Sequence, residues 1–501
     1  MRPALNRPAR ALLTSLPAVL GGLLFPLAFS PFDQPVLAPI ALGLLFTVWL
    51  GATPGQAFRR GYLFGLGQYG VGTGWIYISL HDYGGASAWE ASGLTALFTL
   101  CMAWYPGLAG WLAVRFFRGS EGFRLMAVFP AVWMLIEWFR GWFLTGFTWL
   151  QVGYSQTDTL LAAIAPVLGS YGVGWVAALL AGMAFALPRL HRFGRKAVFA
   201  GLILVMLASH GLNQLRWAEP AGLPFQATLL QGNIPQDAKW QPEFQQATLL
   251  RYVRMTRDHW DSRLIIWPET AIPAFYHQVR ESFLNPLQTE ARQHGSDLLI
   301  GAPYLDESTR QYYNALINLG QTPGFYFKRH LVPFGEYLPL RPVLGFILDM
   351  LDIPLSDFAA GATGQPTLQA AGHPLVASIC YEDIFGQESL DGLPEARYLV
   401  NVTNDAWFGD SLAPHQHVQM ARMRALETAR YLLRATNTGV SAVIGPDGRI
   451  KAQAPLFQVS ETTGTVQPLS GTTPYVRWRD YAFLTVLGLV LLAGIRRKRR
   501  P

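Results

Sequence analysis

Seven apolar stretches crowd the first 210 residues of this chain, and an eighth lies near its end. They run 12–30, 36–52, 63–80, 90–113, 123–139, 162–187 and 196–210, with the last from Tyr481 to Ile495. The hydrocarbon core of a bilayer takes about twenty residues of helix, so these runs predict membrane spans. Lipid offers the backbone no hydrogen-bond partner, which restricts such segments to helix. The predicted organisation is a membrane domain of about seven transmembrane helices over 1–211 and a globular domain over 220–468. An eighth helix over 480–496 follows, with a basic tail to residue 501. The first run ends in Phe29-Ser30-Pro31-Phe32, not in a small-residue cleavage site, and reads as a retained helix.

Composition agrees. Of the 501 residues 51% are hydrophobic and only 14% charged, against about 25% charged in an ordinary soluble protein. The formal charge of +7 comes largely from basic residues between the apolar runs. No basic patch interleaved with aromatics stands apart from them, which argues against nucleic acid as a partner.

The basic residues also predict orientation. Arg2, Arg7 and Arg10 precede the first run, Arg59 and Arg60 the third, and Arg115, Arg118 and Arg124 flank the gap before the fifth. Arg189, Arg192, Arg195 and Lys196 precede the seventh, and Arg496 to Arg500 follow the eighth. The alternate loops, around Asp33 and His81-Asp82-Tyr83, are poor in Lys and Arg. Positive charge stays on the cytoplasmic side, so both termini are expected there and 220–468 outside. One outer loop, Glu137 to Asp158, breaks the pattern with Arg140 among Trp138, Trp142, Trp149 and Tyr154. It reads either as an interfacial aromatic belt or as a substrate mouth where Arg140 meets a lipid phosphate.

Within 220–468, β-rich apolar runs alternate with helix-like segments. Strands are expected at Phe225–Leu230, Leu264–Trp267, Leu298–Gly301, Tyr312–Leu319, Tyr398–Val402, Ala429–Arg434 and Ser441–Ile444. Helices are expected at Glu243–Trp260, 280–294 and His415–Glu427, with a turn at Pro446-Asp447-Gly448. The mixture predicts an α/β domain with strands covered by helices. The stretch Pro339–Pro366 fits neither pattern and reads as a loop or lid on the membrane.

The chain has two cysteines. Cys101 lies in an apolar run and is expected to be a small buried hydrophobe. Cys380 ends the apolar run Val376-Ala377-Ser378-Ile379 and is followed by Tyr381, Glu382 and Asp383. It reads as a structural thiol or as a nucleophile delivered by a strand end. No C-x-x-C pattern or zinc-like spacing is present, so no metal is expected. Two other apolar runs stop at charge: Leu264-Ile-Ile-Trp-Pro-Glu269, and Phe325-Tyr-Phe-Lys328-Arg-His-Leu-Val-Pro-Phe-Gly-Glu336. Reactive groups in α/β sheets gather at the C-terminal ends of strands. Together the three would supply a general base (Glu269), a cation for an oxyanion (Lys328) and a nucleophile (Cys380). His415 and His417 read as helix-start residues that orient a loop.

The order W-P-E, then F-Y-F-K-R-H-L-V-P-F-G-E-Y-L-P, then C-Y-E, then Asn401-Val-Thr-Asn-Asp-Ala-Trp-Phe-Gly409 resembles the nitrilase superfamily. With eight spans around it, the chain is similar to that superfamily's membrane-bound branch in the bacterial inner membrane, the apolipoprotein N-acyltransferases. The resemblance implies an αββα catalytic sandwich outside the membrane and a phospholipid acyl donor. It also implies a thioester intermediate and, as acceptor, the N-terminal amine of a diacylglyceryl apolipoprotein. Carried over by position, it implies a triad of Glu269, Lys328 and Cys380. Glu336, Tyr381 and Glu382 would form the supporting or oxyanion shell. Trp240 would stand near the site entrance and Trp149 in the outer loop, with Arg140 and Tyr154 as further substrate-binding candidates. No cofactor is needed, and a monomer is the default expectation. Two other readings compete. An amidase or nitrilase of a small amide would use the same three residues without needing spans. A transporter or scaffold would need polar residues along the spans, and these are sparse.

Overall fold

The computed structural model describes residues 13–339 and 357–496. Most of the Pro339–Pro366 stretch, the Arg2–Arg10 segment and the tail past Arg496 lie outside the described residues. The chain divides into two compact units. One comprises Met1–Ile76, Ser92–Leu215 and Trp478–Pro501; the other comprises Tyr77–Ala91 and Arg216–Arg477.

The first unit is helical. Among the described residues four helical runs are long and apolar enough to cross a membrane: Ala88–Phe116, which belongs to this unit from Ser92 onward, Glu121–Arg140, Leu160–Arg189 and Arg192–Asn213. Leu16–Ala28, Leu37–Trp49 and Tyr481–Ile495 are shorter and apolar. The third expected run is displaced: its helix is Pro54–Gly72, not 63–80. Thr53 starts it early, because its hydroxyl accepts from the Gln56 N–H while the Gln56 side chain accepts from the Thr53 N–H. Arg59 and Arg60 therefore sit in the helix and not in a loop; the Arg60 guanidinium donates to the carbonyl of Val48. Glycine lets these helices touch. A Cβ on Gly61 would lie 2.1 Å from the carbonyl oxygen of Pro106, and one on Gly67 2.8 Å from the backbone of Gly22. Cys101 is exposed, which corrects the expectation of burial. In a membrane helix an apolar face needs no protein cover, since lipid serves. The same holds for Phe199, Ile203, Leu204 and Leu207, all more than half exposed on Arg192–Asn213.

The second unit is built on two six-stranded sheets. The strands in chain order are β1 Ala218–Pro220, β2 Phe225–Gln231, β3 Leu264–Ile266, β4 Asp297–Asp306, β5 Gln311–Asn318, β6 Gly324–Phe327 and β7 Leu368–Ala370. They continue with β8 His373–Ile379, β9 Tyr398–Thr403, β10 Leu432–Thr436, β11 Ala442–Ile444, β12 Ile450–Gln453, β13 Ser460–Val466 and β14 Leu469–Gly471. One sheet runs β13-β2-β3-β4-β5-β6 and the other β12-β11-β10-β9-β8-β7, while β1 and β14 pair separately. Strands β2, β3 and β4 are parallel, as are β8, β9 and β10.

Period-two alternation decides which side chain enters which layer. Leu264 and Ile266 face the layer shared by both sheets, with Ala227, Leu229, Leu375, Ala377, Ile379, Val400 and Val402. Ile265 and Trp267 face the opposite side, with Tyr252, Met255, Leu287 and Ala291 from the helices Pro242–Arg257 and Asn285–His294. On the far side of the other sheet, Val376 and Leu399 pack on Val418, Ala421 and Ala425 of the helix Leu412–Thr428. The order is helix, sheet, sheet, helix, as expected. Two elements shift. The 280–294 helix begins at Tyr276 and passes through a π turn over Arg280–Leu284. The strand expected at 429 begins at Leu432, because Ala429 takes φ +51° and ends the preceding helix.

Candidate active site

Three loops that leave strand ends converge. Glu269 follows β3, Lys328 follows β6 and Cys380 follows β8 directly. Cys380 has φ +52°, a left-handed conformation costly for a side-chain-bearing residue. It opens the short 3₁₀ helix Cys380–Ile384 and lies among the residues of the layer between the sheets.

Lys328 and Glu269 are almost completely buried, and the Glu336 side chain is 13% exposed. Lys328 Nζ lies 2.8 Å from Glu336 Oε2 and 3.4 Å from Glu269 Oε1. Asn314 on β5 joins both carboxylates, its Nδ2 donating to Glu269 Oε1 at 2.7 Å and to Glu336 Oε1 at 3.1 Å. Burial opposes the Lys328 charge, but Glu336 and then Glu269 outweigh it and hold the ammonium pKa above its ordinary value. Burial, and then the Glu269 charge, push the Cys380 thiol well above its usual range, while Lys328 pulls the other way. A thiol in these surroundings rests protonated and needs a base beside it to react.

Glu382 ties the two strand ends together. Its carboxylate accepts from the backbone N–H of Ile379 and of Arg329, both at 2.7 Å, from the His330 N–H at 3.2 Å and from the Tyr326 hydroxyl at 3.0 Å. Burial, and then Glu388, raise its pKa to about 7 against the pull of those backbone bonds. Tyr381 packs edge-on against His330 and Phe385.

A second buried cluster lies under the elbow, the sharp turn at Cys380 where β8 gives way to the 3₁₀ helix Cys380–Ile384. Arg434 Nη1 donates to Asp383 Oδ2 at 2.7 Å and to Asn401 Oδ1 at 2.6 Å, and its Nη2 donates to Asp405 Oδ2 at 3.1 Å. His417 bridges Asp383 and Asp405 at 2.8 and 2.9 Å. Asn401 Nδ2 in turn donates to the Cys380 carbonyl at 3.3 Å. His417 therefore lies inside the helix Leu412–Thr428 and braces the elbow, rather than opening that helix.

The remaining candidates separate by unit. Trp240 is half-buried in the α/β unit. Trp149, Tyr154 and Arg140 are each 2% exposed or less, within the helical unit. Arg140 Nη1 donates to the carbonyls of Phe147 and Trp149 at 2.6 and 2.7 Å. Arg140 is thus 2% exposed and its Nη1 is held by two internal carbonyls, so this structure shows no open mouth at Arg140. Sequence reading passed over Asn314, Arg434 and Lys239. The signal for Asn314 was a polar residue two positions before Leu316, on the face of β5 that enters the layer between the sheets, and for Lys239 its place beside Trp240.

Residues 226–473 match the family model described as carbon-nitrogen hydrolase, which makes the α/β unit an enzyme domain of that class. Residues 21–183 match the model for the apolipoprotein N-acyltransferase N-terminal domain. A protein named apolipoprotein N-acyltransferase from Methylococcus capsulatus is 58% identical over 96% of this chain and 96% of its own. Relatives of the same name from Nitrosomonas europaea and Azotobacter vinelandii are 46% and 41% identical, over 93% and 97% of this chain and 94% and 95% of theirs. The chain belongs to the apolipoprotein N-acyltransferase family.

Proposed function

We propose that this chain moves a fatty acyl group from the sn-1 ester of a glycerophospholipid to the α-amine of a diacylglyceryl-cysteine at the N-terminus of an apolipoprotein. The observation that carries the reading is the buried Lys328–Glu269 pair beside the elbow that presents Cys380. Glu269 takes the Sγ proton as Cys380 attacks the ester carbonyl, and Lys328 stabilises the oxyanion. Collapse expels the glyceryl oxygen, which takes the proton from Glu269 and leaves as lysophospholipid, with a thioester on Cys380. The acceptor amine then attacks the thioester, its proton passes to Glu269, and the thiol is released as the amide forms. Glu336 and Asn314 hold Lys328 and Glu269 in register, Glu382 and Tyr381 fix the two strand ends, and Trp240 lines the approach. Trp149, Arg140 and Tyr154 support the helical unit from within.

Both reactants are lipid-anchored, which suits an enzyme with a membrane unit of its own. The alternation of basic segments supports eight spans with both termini in the cytoplasm of a bacterial inner membrane and the α/β unit on the periplasmic side, and a monomer is the default for a chain in which nothing suggests a repeated interface. The test is incubation of the purified protein with phospholipid vesicles and a diacylglyceryl-cysteinyl peptide. One lysophospholipid per N-acylated peptide supports the reading. Release of free fatty acid, or cleavage of a small amide with no transfer to the peptide, contradicts it.

A further inference from the structure

Lys328 has three N–H donors and three carboxylate oxygens around it: both of Glu336, at 2.8 and 2.9 Å, and one of Glu269, at 3.4 Å. An oxyanion at Lys328 therefore competes with these carboxylates for its donors. Yet a tetrahedral intermediate needs donors aimed at the charge it develops.

A second lysine lies in the same pocket. Lys239 is 3% exposed, and the one hydrogen bond it makes among the described residues runs from Nζ to the backbone carbonyl of Glu269, at 3.3 Å. An ammonium has three donors, so two remain to be used. A buried lysine with a purely structural role normally ends on a carboxylate or several carbonyls, because burying the charge is costly. Here burial drives the pKa down to about 8, with Glu269 and then Cys380 pulling back up. The ammonium thus feels both the base and the nucleophile.

The loop that carries Lys239 is pinned. The Asn233 and Ile234 N–H groups donate to the carbonyl and side-chain oxygens of Asn437, each at 2.9 Å, and Asn404 Nδ2 donates to Gln236 Oε1 at 2.8 Å. Asn437 and Asn404 flank the C-terminal ends of β10 and β9, so the loop is fastened to the sheet that delivers Cys380. A cation on such a loop is preorganised. Two carboxylates, Glu269 and Glu336, face Lys328, and Lys239 supplies the second cation of the pocket.

We infer that Lys239 is a further catalytic residue, whose ammonium donates to the negative charge that forms first on the Cys380 sulfur and then on the oxygen of the reacting carbonyl. This inference rests on the acyl-transfer reading above, but its thiolate half can be read without any acyl donor. In a Cys101→Ser background, the rate of Cys380 alkylation by iodoacetamide is followed against pH for Lys239, Lys239→Met and Lys239→Arg proteins. The expected result is a midpoint about one pH unit higher in Lys239→Met, retained near the parent value in Lys239→Arg. The rate of acylation by phosphatidylethanolamine vesicles falls roughly 100-fold in Lys239→Met. If Lys239→Met does not fold, Lys239→Gln, which keeps a donor for the Glu269 carbonyl, takes its place. An unmoved alkylation midpoint overturns the inference. If the parent protein takes up no acyl group, the proposed function fails, and the alkylation midpoint still decides the role of Lys239.

Discussion

The carboxylate of Glu382 accepts a hydrogen bond from the backbone N–H of Arg329 at 2.7 Å, so the residue two positions after Cys380 holds the residue next to Lys328. Nucleophile and cation arrive on different strands of different sheets, β8 and β6. Their relative position is set less by either sheet than by this side chain, which also accepts from Ile379, His330 and Tyr326.

Glu382→Ala therefore strands several buried donors at once. Each unsatisfied buried group costs about 1–3 kcal/mol, so a loss of roughly 3 kcal/mol or more is expected, read as a marked fall in Tm in detergent. Acylation of Cys380 should fall more than about tenfold in whatever fraction stays folded, because a displacement of about 1 Å is costly to a positioned reaction. An unchanged Tm would show that Glu382 does not join the two strand ends.

Removing the Glu269 carboxylate takes away the base, and Glu269→Gln should lower the acylation rate by about 100-fold to 10,000-fold. Asn314→Leu keeps the base but removes the 2.7 Å donor that orients it. Its expected effect is smaller, roughly tenfold, and single-turnover acylation kinetics separate the two. Equal losses would mean that Asn314 does more than orient.

Glu336→Gln leaves Lys328 with Glu269 as its carboxylate partner. The ammonium pKa should fall back toward its ordinary value, since Glu336 is the largest of the influences that raise it. The lysine should also shift toward the base. We expect a drop in acylation of about tenfold with little change in Kd for the donor phospholipid, measured by vesicle binding. A weakened Kd with unchanged acylation would place Glu336 in substrate binding instead.

The buried quartet of Arg434, Asp383, Asp405 and His417 gives stability a signed pH dependence. Against burial, His417 and Arg434 lower the Asp405 pKa from 3.8 to about 2. Its contribution, on the order of 2 kcal/mol, is present above about pH 4 and is lost as pH falls through about 2. Burial and Arg434 oppose the His417 charge, but Asp383 and Asp405 raise its pKa above 6.5. Its contribution is full below 6.5 and is lost as pH rises through the raised folded value. Thermal melts against pH should show the alkaline limb flattened in His417→Gln and the acid limb flattened in Asp405→Asn. Identical slopes in all three proteins would contradict the pairing.

The layered α/β fold was legible because period-two alternation and strand-ending charges are local signals, and Glu269, Lys328 and Cys380 each close an apolar run. What escaped was whatever depends on a partner far along the chain. Arg434 sits in a strand whose neighbours are Leu433 and Ala435, and nothing local tells that its guanidinium meets Asp383, 51 residues earlier. The start of the Pro54–Gly72 helix was hidden because a capping residue, not hydropathy, determines it. Cys101 misled for the opposite reason: apolar sequence predicts burial only where water is the alternative. Arg140, which the aromatic loop left open between an interfacial belt and a headgroup ligand, is buried and gives its Nη1 to two carbonyls nine residues or fewer away.

The central claim is that Cys380 carries the acyl group. Intact-mass measurement of the purified protein after incubation with phospholipid and no acceptor tests it most directly. A fatty-acyl increment on Cys380, removed by hydroxylamine and missing in Cys380→Ala, is the predicted result. Acyl transfer to a lipopeptide that persists in Cys380→Ala would contradict it.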